Sequence, residues 1–205
     1  MQRETLCYCG HTVKHDFPER IDLSKEPDAI EEILDGTFLQ ISCDACGQIL
    51  KPDFPLLLEH VPSPTGSLSV EYFPEPDRVR VMAGKVSSQA DRVVIGYPEL
   101  REKIFIFKSL LDDRVVEILK FLLLEKAGTE ASLTILLEEC TDEQLSFYIY
   151  GLKEQEVGLT NLSMEIYQKV LARLDEGMQN EAYVQITEPP YVSINKISLE
   201  EGEEQ

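Results

Sequence analysis

The sequence predicts a mixed α+β fold, in which cysteine-bearing turns join antiparallel strands and helices and a smaller α+β C-terminal region follows. Three observations support this prediction. Short runs of alternating apolar and polar residues, typical of half-buried strands, recur along the chain. Between them lie segments with apolar residues every three or four positions, typical of amphipathic helices. Four of the five cysteines form two close pairs, at 7/9 and 43/46.

The composition excludes several classes of partner. The chain has 205 residues, 43% of them hydrophobic, and a formal net charge of -19. Such an acidic surface repels phosphate groups, so we expect neither nucleic-acid binding nor docking on anionic membranes. The first residues lack the apolar segment of a signal peptide, and no apolar run is long enough to span a bilayer. A cytoplasmic protein with reduced cysteines is therefore expected.

The N-terminal elements surround the cysteine pairs. A helix is predicted over residues 24–36, with Ser24 as its cap, Pro27 in its first turn and Gly36 at its end. Period-2 patterns predict strands on either side of each pair, over residues 3–8, 11–17, 38–42 and 48–54.

The middle of the chain contains the strongest helical signal. Residues 97–128 are helical by pattern, and Asp112 and Asp113 suit the start of a second helix within them, which Gly128 would end. A proline-containing loop is predicted at 61–67. Period-2 patterns predict strands over residues 68–73, 78–83 and 92–97.

The last third predicts one helix among strands. The helix over residues 162–177 would be capped by Ser163 and would turn four apolar side chains inward, namely Ile166, Val170, Leu171 and Leu174. Strands are predicted over residues 132–139, 145–152, 182–187 and 191–197. Together, the patterns predict a first domain over residues 1–127, a C-terminal α+β region over 128–200 and an acidic tail over 201–205.

The second cysteine pair has the spacing of a metal-binding turn. Cys43 and Cys46 stand two residues apart and run into Gly47, which permits a tight turn around the sulfurs. A structural zinc site takes four such ligands in a tetrahedron, so zinc-ribbon-like knuckles are predicted. The competing interpretation is a redox dithiol, but the helix that normally follows such a pair is missing from the pattern.

The first pair is one residue short of that spacing, because only Tyr8 separates Cys7 from Cys9. Either Cys7 binds metal through a shortened turn, or Cys9 binds alone and another ligand completes the site. His11, His15 or water could take that place. The predicted metal ligands are therefore Cys7, Cys9, Cys43 and Cys46, with the fourth position left open between Cys7 and these alternatives.

These features together resemble the CpXC domain, a bacterial and archaeal family named for paired cysteine motifs. The resemblance rests on the two pairs, the helical spacer, FPLLLEH and YPELREKIFIFKSLLDDRVVEILKFLLLEK, over residues 3–127. It implies zinc binding, with no activity established for the family. Cys9, Cys43 and Cys46 stand on family cysteine positions, but the family's Cys-Pro-x-Cys motif places the first ligand on Leu6. Only a shift of that role to Cys7 completes the set.

The remaining charged residues predict no catalytic site. Glu102, Asp112, Asp113 and Glu117 are interpreted as helix caps and a solvated face, and Lys103 as part of an exposed ion pair. No nucleophile stands beside a base in the sequence. We therefore expect a zinc-binding assembly module with a structural site and an unidentified protein partner. The alternatives are a metal-dependent hydrolase with an open zinc position and, less favoured, a thiol redox sensor.

Overall fold

The protein divides into two compact units, Met1–Val61 with Ser67–Ile104 and Pro62–Gly66 with Phe105–Gln205. Each unit combines helices with strands, which confirms the α+β prediction. The division within the chain falls beside residue 104, whereas the predicted domain boundary falls at 127/128 and stays a prediction. The structure, a computed structural model, describes residues 2–51, 54–128, 133–153, 156–174 and 180–200.

The first unit contains the cysteine turns. Its strands are β1 (Gln2–Leu6), β2 (Thr12–Asp16), β3 (Arg20–Asp22), β4 (Ile41–Ser42), β5 (Ile49–Leu50), β6 (Leu56–Ser63), β7 (Gly66–Phe73) and β8 (Arg92–Ile95). Its helices are α1 (Asp28–Asp35), α2 (Arg78–Met82) and α3 (Tyr97–Lys108), and both β6 and α3 run on into the second unit.

The strands of this unit form two small hairpins and one larger sheet. β1 pairs with β2 and β4 with β5, both antiparallel, as predicted around the cysteine pairs. The larger sheet has the order β3-β6-β7-β8, with parallel pairing between β3 and β6 and between β7 and β8. Ile21, Leu58, Val70 and Val94 of this sheet are almost wholly buried and form the centre of the core.

Side chains of α3 hold the C-terminal end of α1. The Tyr97 hydroxyl donates to the carbonyl of Ile33 at 3.0 Å, and Arg101 Nε donates to that of Leu34 at 2.8 Å. The last carbonyls of a helix lack partners within the helix, so these bonds satisfy them. The ammonium of Lys51, directly after β5, lies 4.5 Å from the centre of the Tyr97 ring. The second cysteine hairpin is thereby linked to the same helix.

Asp22, at the end of β3, organises the entry to α1. Its carboxylate accepts from the hydroxyl of Ser24 at 2.6 Å and from Lys25 Nζ at 2.7 Å, and lies 2.9 Å from His60 Nδ1. The hydrogen bond from Lys25, followed by that from Ser24, holds the pKa of Asp22 well below its usual range. Ser24 therefore does not cap α1, which instead begins after Pro27.

We expect the stability contributed by Asp22 to depend on pH. Its carboxyl has a lower pKa in the folded chain than in the unfolded one, so the contribution is fully present above about pH 4. It is lost as the pH falls towards the lowered folded-state pKa. The melting temperature of Asp22→Asn should therefore lie below that of the wild type near neutral pH, with the gap narrowing in acid. A gap independent of pH, in thermal melts followed by circular dichroism, would contradict this assignment.

The second unit has a three-stranded antiparallel sheet and helices. The sheet has the order β11-β10-β9. Its elements are α4 (Asp113–Ala127), β9 (Thr134–Cys140), β10 (Gln144–Lys153), β11 (Glu156–Ser163), α5 (Met164–Ala172), α6 (Glu181–Thr187) and α7 (Asn195–Glu200). Asp112 caps α4 by accepting from the NH of Arg114 at 3.0 Å, and Gly128 ends it with a φ of 58°, both as predicted. No helix in these described stretches combines the length and apolar character needed to cross a bilayer.

Three strand predictions were wrong, and the strands β3 and β11 were not predicted. Residues 78–83 contain α2, 182–187 lie in α6, and 191–197 lead into α7. In each wrong case a short alternating pattern fits a helix as well as a strand, and contacts outside the pattern select the helix. The Asn180 side chain, for example, accepts from the backbone NH groups of Ala182 and Tyr183 and so begins α6.

Two expectations for side-chain placement were also wrong. In α5, Ile166 and Leu171 are exposed, and the buried side chain is that of Tyr167. Ser163 precedes the helix as predicted, but its side chain makes no capping bond. The helix therefore presents part of its apolar surface outward.

The acidic residues predicted to form a solvated face include several that are buried. Asp113 and Glu117 are 1% and 2% exposed, and Glu102 and Lys103 are buried as well. Glu117 Oε1 lies 3.1 Å from Nζ of the buried Lys120, and its Oε2 accepts from the NH of Ile194 at 2.9 Å. The helix α4 carries apolar residues on most of its sides. Its sequence pattern therefore does not show which of its charged side chains face inward.

Candidate metal centre

The two hairpins bring the four predicted cysteines together. Their Sγ atoms all lie within 4.8 Å of one another. The distance from Cys7 Sγ to Cys46 Sγ is 3.6 Å, and that from Cys9 Sγ to Cys43 Sγ is 3.7 Å. Sulfurs bonded at about 2.3 Å to a tetrahedral ion would stand about 3.8 Å apart. The cluster therefore has the dimensions and the ligand chemistry to hold a metal ion.

The first turn is closed by two backbone hydrogen bonds. The NH of Cys7 donates to the carbonyl of His11 at 2.8 Å, and the NH of Gly10 donates to the carbonyl of Cys7 at 2.9 Å. Gly10 has a φ of 85°, a conformation that costs a residue with a side chain about 1–2 kcal/mol. The short spacing is thus accommodated by glycine directly after the second cysteine.

The second turn repeats this pattern with one more residue. The NH of Cys43 donates to the carbonyl of Gln48 at 2.9 Å, and the NH of Gly47 donates to the carbonyl of Cys43 at 2.8 Å. Gly47 also has a positive φ, of 73°. Cys7 therefore occupies the place in its turn that Cys43 occupies in the other. The two turns are equivalent in hydrogen bonding although they differ in length.

The neighbours of Cys7 do not compete for its place. Cys7 is 2% exposed, whereas Leu6 and Tyr8 on either side are 71% and 97% exposed and point away. His11 is exposed, and His15 Nε2 lies 3.3 Å from the Thr5 hydroxyl. In the part of the chain that the structure describes, neither histidine belongs to the group that could hold an ion. Cys7 is therefore the side chain of the first turn that lies with Cys9 in the sulfur group.

The sulfurs influence one another's ionisation. Burial opposes ionisation of Cys43, but backbone NH groups of its own turn and the thiols of Cys7 and Cys46 together lower its pKa to about 7. The NH of Gln48 favours ionisation of Cys46, yet the thiols of Cys9 and Cys7, with burial, raise its pKa to about 12. The thiol of Cys43 therefore ionises readily, whereas ionisation of the Cys46 thiol is opposed by its neighbours. A bound cation would remove that opposition by compensating the charge.

The core around the cluster is small. Its buried members are Cys7, Val13, Cys43 and Leu50, with Ile41 packed against them. Two of these four residues are themselves candidate ligands. Beside this small core, the ring of Phe17 lies 5.0 Å from that of Phe54, and the guanidinium of Arg3 lies 4.2 Å from the centre of the Phe54 ring. The segments that carry the hairpins are therefore joined by this packing as well as by the sulfur cluster.

The fifth cysteine lies elsewhere. Cys140 ends β9 in the second unit, and its Sγ lies 3.8 Å from the carbonyl oxygen of Thr141. It does not belong to the four-sulfur group. Its burial, followed by the charge of Asp142, raises the pKa of its thiol. Cys140 is thus a natural control for any experiment on the cluster.

Comparison with known proteins relates the chain to one family. No solved structure matches the chain. An uncharacterized protein of Treponema pallidum (strain Nichols) is 24% identical over 215 aligned residues, which cover 93% of this chain and 96% of the relative. The model of the CpXC protein family matches residues 5–120, a stretch that includes both cysteine pairs. The chain therefore belongs to the CpXC family.

Proposed function

We propose that the protein binds one zinc ion through Cys7, Cys9, Cys43 and Cys46 and that the ion stabilises the fold. The observation that carries the proposal is the group of four sulfurs, whose two shortest separations, 3.6 and 3.7 Å, approach the edge of a zinc–thiolate tetrahedron. Tetrahedral sites of four sulfurs select zinc or iron among the common metals. Zinc is the ion expected where two knuckles form a closed structural site.

A structural role follows from the number of ligands. Four protein ligands leave no position open for water, whereas catalytic zinc keeps one. A hydrolase would require Cys7 to stay unbound and a base to stand beside the ion. The burial of Cys7 within the sulfur group and the placement of His11 and His15 outside it support the structural alternative.

We further propose that the protein acts in the cytoplasm as a binding or assembly module for a protein partner. The net charge of -19 supports a partner other than nucleic acid or an anionic membrane. The five cysteines are free, as a reducing compartment would keep them. Purification of the tagged chain from its native cells, followed by identification of co-purifying proteins, tests this part of the proposal.

The metal is tested directly by elemental analysis. Protein purified without chelator should contain one zinc per chain, and so should the Cys140→Ser control. Replacement of zinc by cobalt should give strong sulfur-to-metal charge transfer that is insensitive to pH, whereas an open site would titrate with its bound water. Stoichiometric iron would contradict the choice of ion, and absence of any metal would contradict the site.

The role of Cys7 is tested by moving its thiol. Cys7→Ser should weaken zinc binding by more than about 100-fold, because loss of a group that only orients a ligand already costs 10–100-fold. Adding Leu6→Cys, which places a thiol where the family motif has one, should not restore affinity, since Leu6 is exposed and points outward. Competition with a chromogenic chelator measures both variants. Rescue by Leu6→Cys would show that Cys7 is not the ligand.

A further inference from the structure

A cavity of 380 Å³ lies between α4, α5 and α6 in the second unit. Its walls are mainly apolar and include Ile118 and Leu122 of α4, Ile166 and Val170 of α5, and Leu174. Small-molecule sites are typically cavities of about 300–1,000 Å³ with mainly apolar walls and a few polar groups. The size and the lining fit a small ligand with an apolar body.

Two cationic side chains also line this cavity. Lys169 and Arg173 stand four residues apart, so they share a side of α5 and of the residues that follow it. Within the described residues, neither makes an ion pair or a side-chain hydrogen bond. Lys169 and Arg173 are exposed, and two adjacent cations without an acidic partner among the described residues, beside an apolar cavity, favour a ligand with a negative charge.

A hydrogen bond from outside the cavity lining holds α5 in place. The Tyr167 hydroxyl accepts from the NH of Asp112 at 2.8 Å and so fixes α5 against the start of α4. The apolar side chains on the cavity side stay partly uncovered, with Ile166 and Leu122 39% and 38% exposed. The cavity is thus a formed groove with an accessible apolar surface.

Tyr183 adds a third polar group to the lining. Its ring stands edge-on to that of Phe121, with the centroids 5.7 Å apart, so its position is fixed by packing. Burial, and then the charge of Glu125, raises the pKa of Tyr183, so its hydroxyl remains a neutral hydrogen-bond donor. Because Glu125 is acidic, the charged end of an anion is expected towards α5.

We propose that this cavity binds an aliphatic monocarboxylate, with its chain against the apolar walls and its carboxylate on Lys169 and Arg173. Hydrogen bonds between a carboxylate and these cations are charge-assisted and directional. Each methylene buried in the groove should tighten binding by roughly fourfold until the cavity is full. The site lies in the second unit and is independent of the proposed zinc centre in the first.

Calorimetric titration of the full-length protein, purified without chelator, with hexanoate, octanoate and decanoate tests the proposal. Each should bind saturably with one molecule per chain, and affinity should rise with chain length. Decyltrimethylammonium has the same apolar tail as a cation and should not bind. Absence of saturable decanoate binding, or equal binding of the cation, would overturn the proposal.

Variants distinguish binding of decanoate in this cavity from general electrostatic attraction of decanoate to cations on the protein surface. Lys169→Gln with Arg173→Gln should weaken decanoate binding by on the order of tenfold or more. The matched control, Lys85→Gln with Lys126→Gln, removes the same charge from exposed positions and should bind as the wild type does. Equal affinity in all three proteins would overturn the proposal. So would self-association that only the first pair of substitutions abolishes, since the groove would then be an interface between copies.

Discussion

Replacing Glu117 with leucine should lower the free energy of unfolding by about 3–5 kcal/mol. This is the usual cost of removing one member of a buried ion pair. Glu117 is 2% exposed and lies 3.1 Å from the ammonium of Lys120. Its other oxygen accepts from the NH of Ile194. The substitution would leave a buried cation and a buried NH group without this carboxylate. Urea denaturation followed by circular dichroism measures the loss.

A control variant separates the loss of stability caused by breaking this ion pair from that caused by removing any charge from α4. Glu125→Gln alters an exposed residue of the same helix and should change stability by no more than about 0.5 kcal/mol. Combining Glu117→Leu with Lys120→Met should recover part of the loss, because the buried cation that lost this carboxylate is removed as well. A Glu117→Leu protein as stable as the Glu125→Gln control would show that the pair contributes little.

Removal of the proposed zinc ion with a strong chelator should loosen the two cysteine hairpins and leave the second unit folded. Zinc bound by zinc-finger peptides contributes about 10–16 kcal/mol of apparent binding free energy. Isolated two-stranded hairpins are marginal in water, and the core that joins β1–β2 to β4–β5 contains two cysteines among its four buried members. Amide hydrogen exchange should therefore accelerate by orders of magnitude in these strands while that of α4 is unchanged.

Two controls make this experiment decisive. Cys140→Ser should respond to the chelator as the wild type does, because Cys140 lies outside the sulfur group. Cys7→Ser should exchange rapidly in the hairpins before any chelator is added. Unchanged exchange in the wild type after complete loss of metal would mean that the hairpins are held by packing alone. Global unfolding would mean that the two units depend on each other.

The elements that the sequence predicted well were those with long patterns or decisive end signals. α4 has Asp112 before it and Gly128 after it, and both act as expected. The segments that were predicted wrongly were short. Five residues that alternate, as in Arg78–Met82, fit a strand or a helix equally, and the contacts that decide come from distant residues. The guanidinium of Arg78, for example, donates to the carboxylate of Glu99 at 2.9 Å.

For the metal site, residue types were predictable, but the choice at the first turn was not. The spacing of Cys43 and Cys46 with the following glycine indicated a knuckle. At the first turn, sequence alone left Cys7, His11, His15 and water as alternatives. Two backbone hydrogen bonds close the first turn and place Cys7 beside Cys9 in the sulfur group. A count of residues between cysteines does not reveal such bonds. The buried charges were missed for a related reason, since partners such as Glu117 and Ile194 are far apart in sequence.

The sulfur pairs also span a long stretch of chain, since Cys7 and Cys46 are 39 residues apart and Cys9 and Cys43 are 34 apart. An ion held by these sulfurs would close a loop in the denatured chain, and this loop contains the residues that form β3 and α1 in the folded protein. The entropy of closing such a ring grows only with the logarithm of its length, by about 0.6 kcal/mol for each doubling. The connecting stretch could therefore lengthen greatly over evolution at little thermodynamic cost. The few residues inside each turn, where backbone bonds fix the sulfurs, have no such freedom.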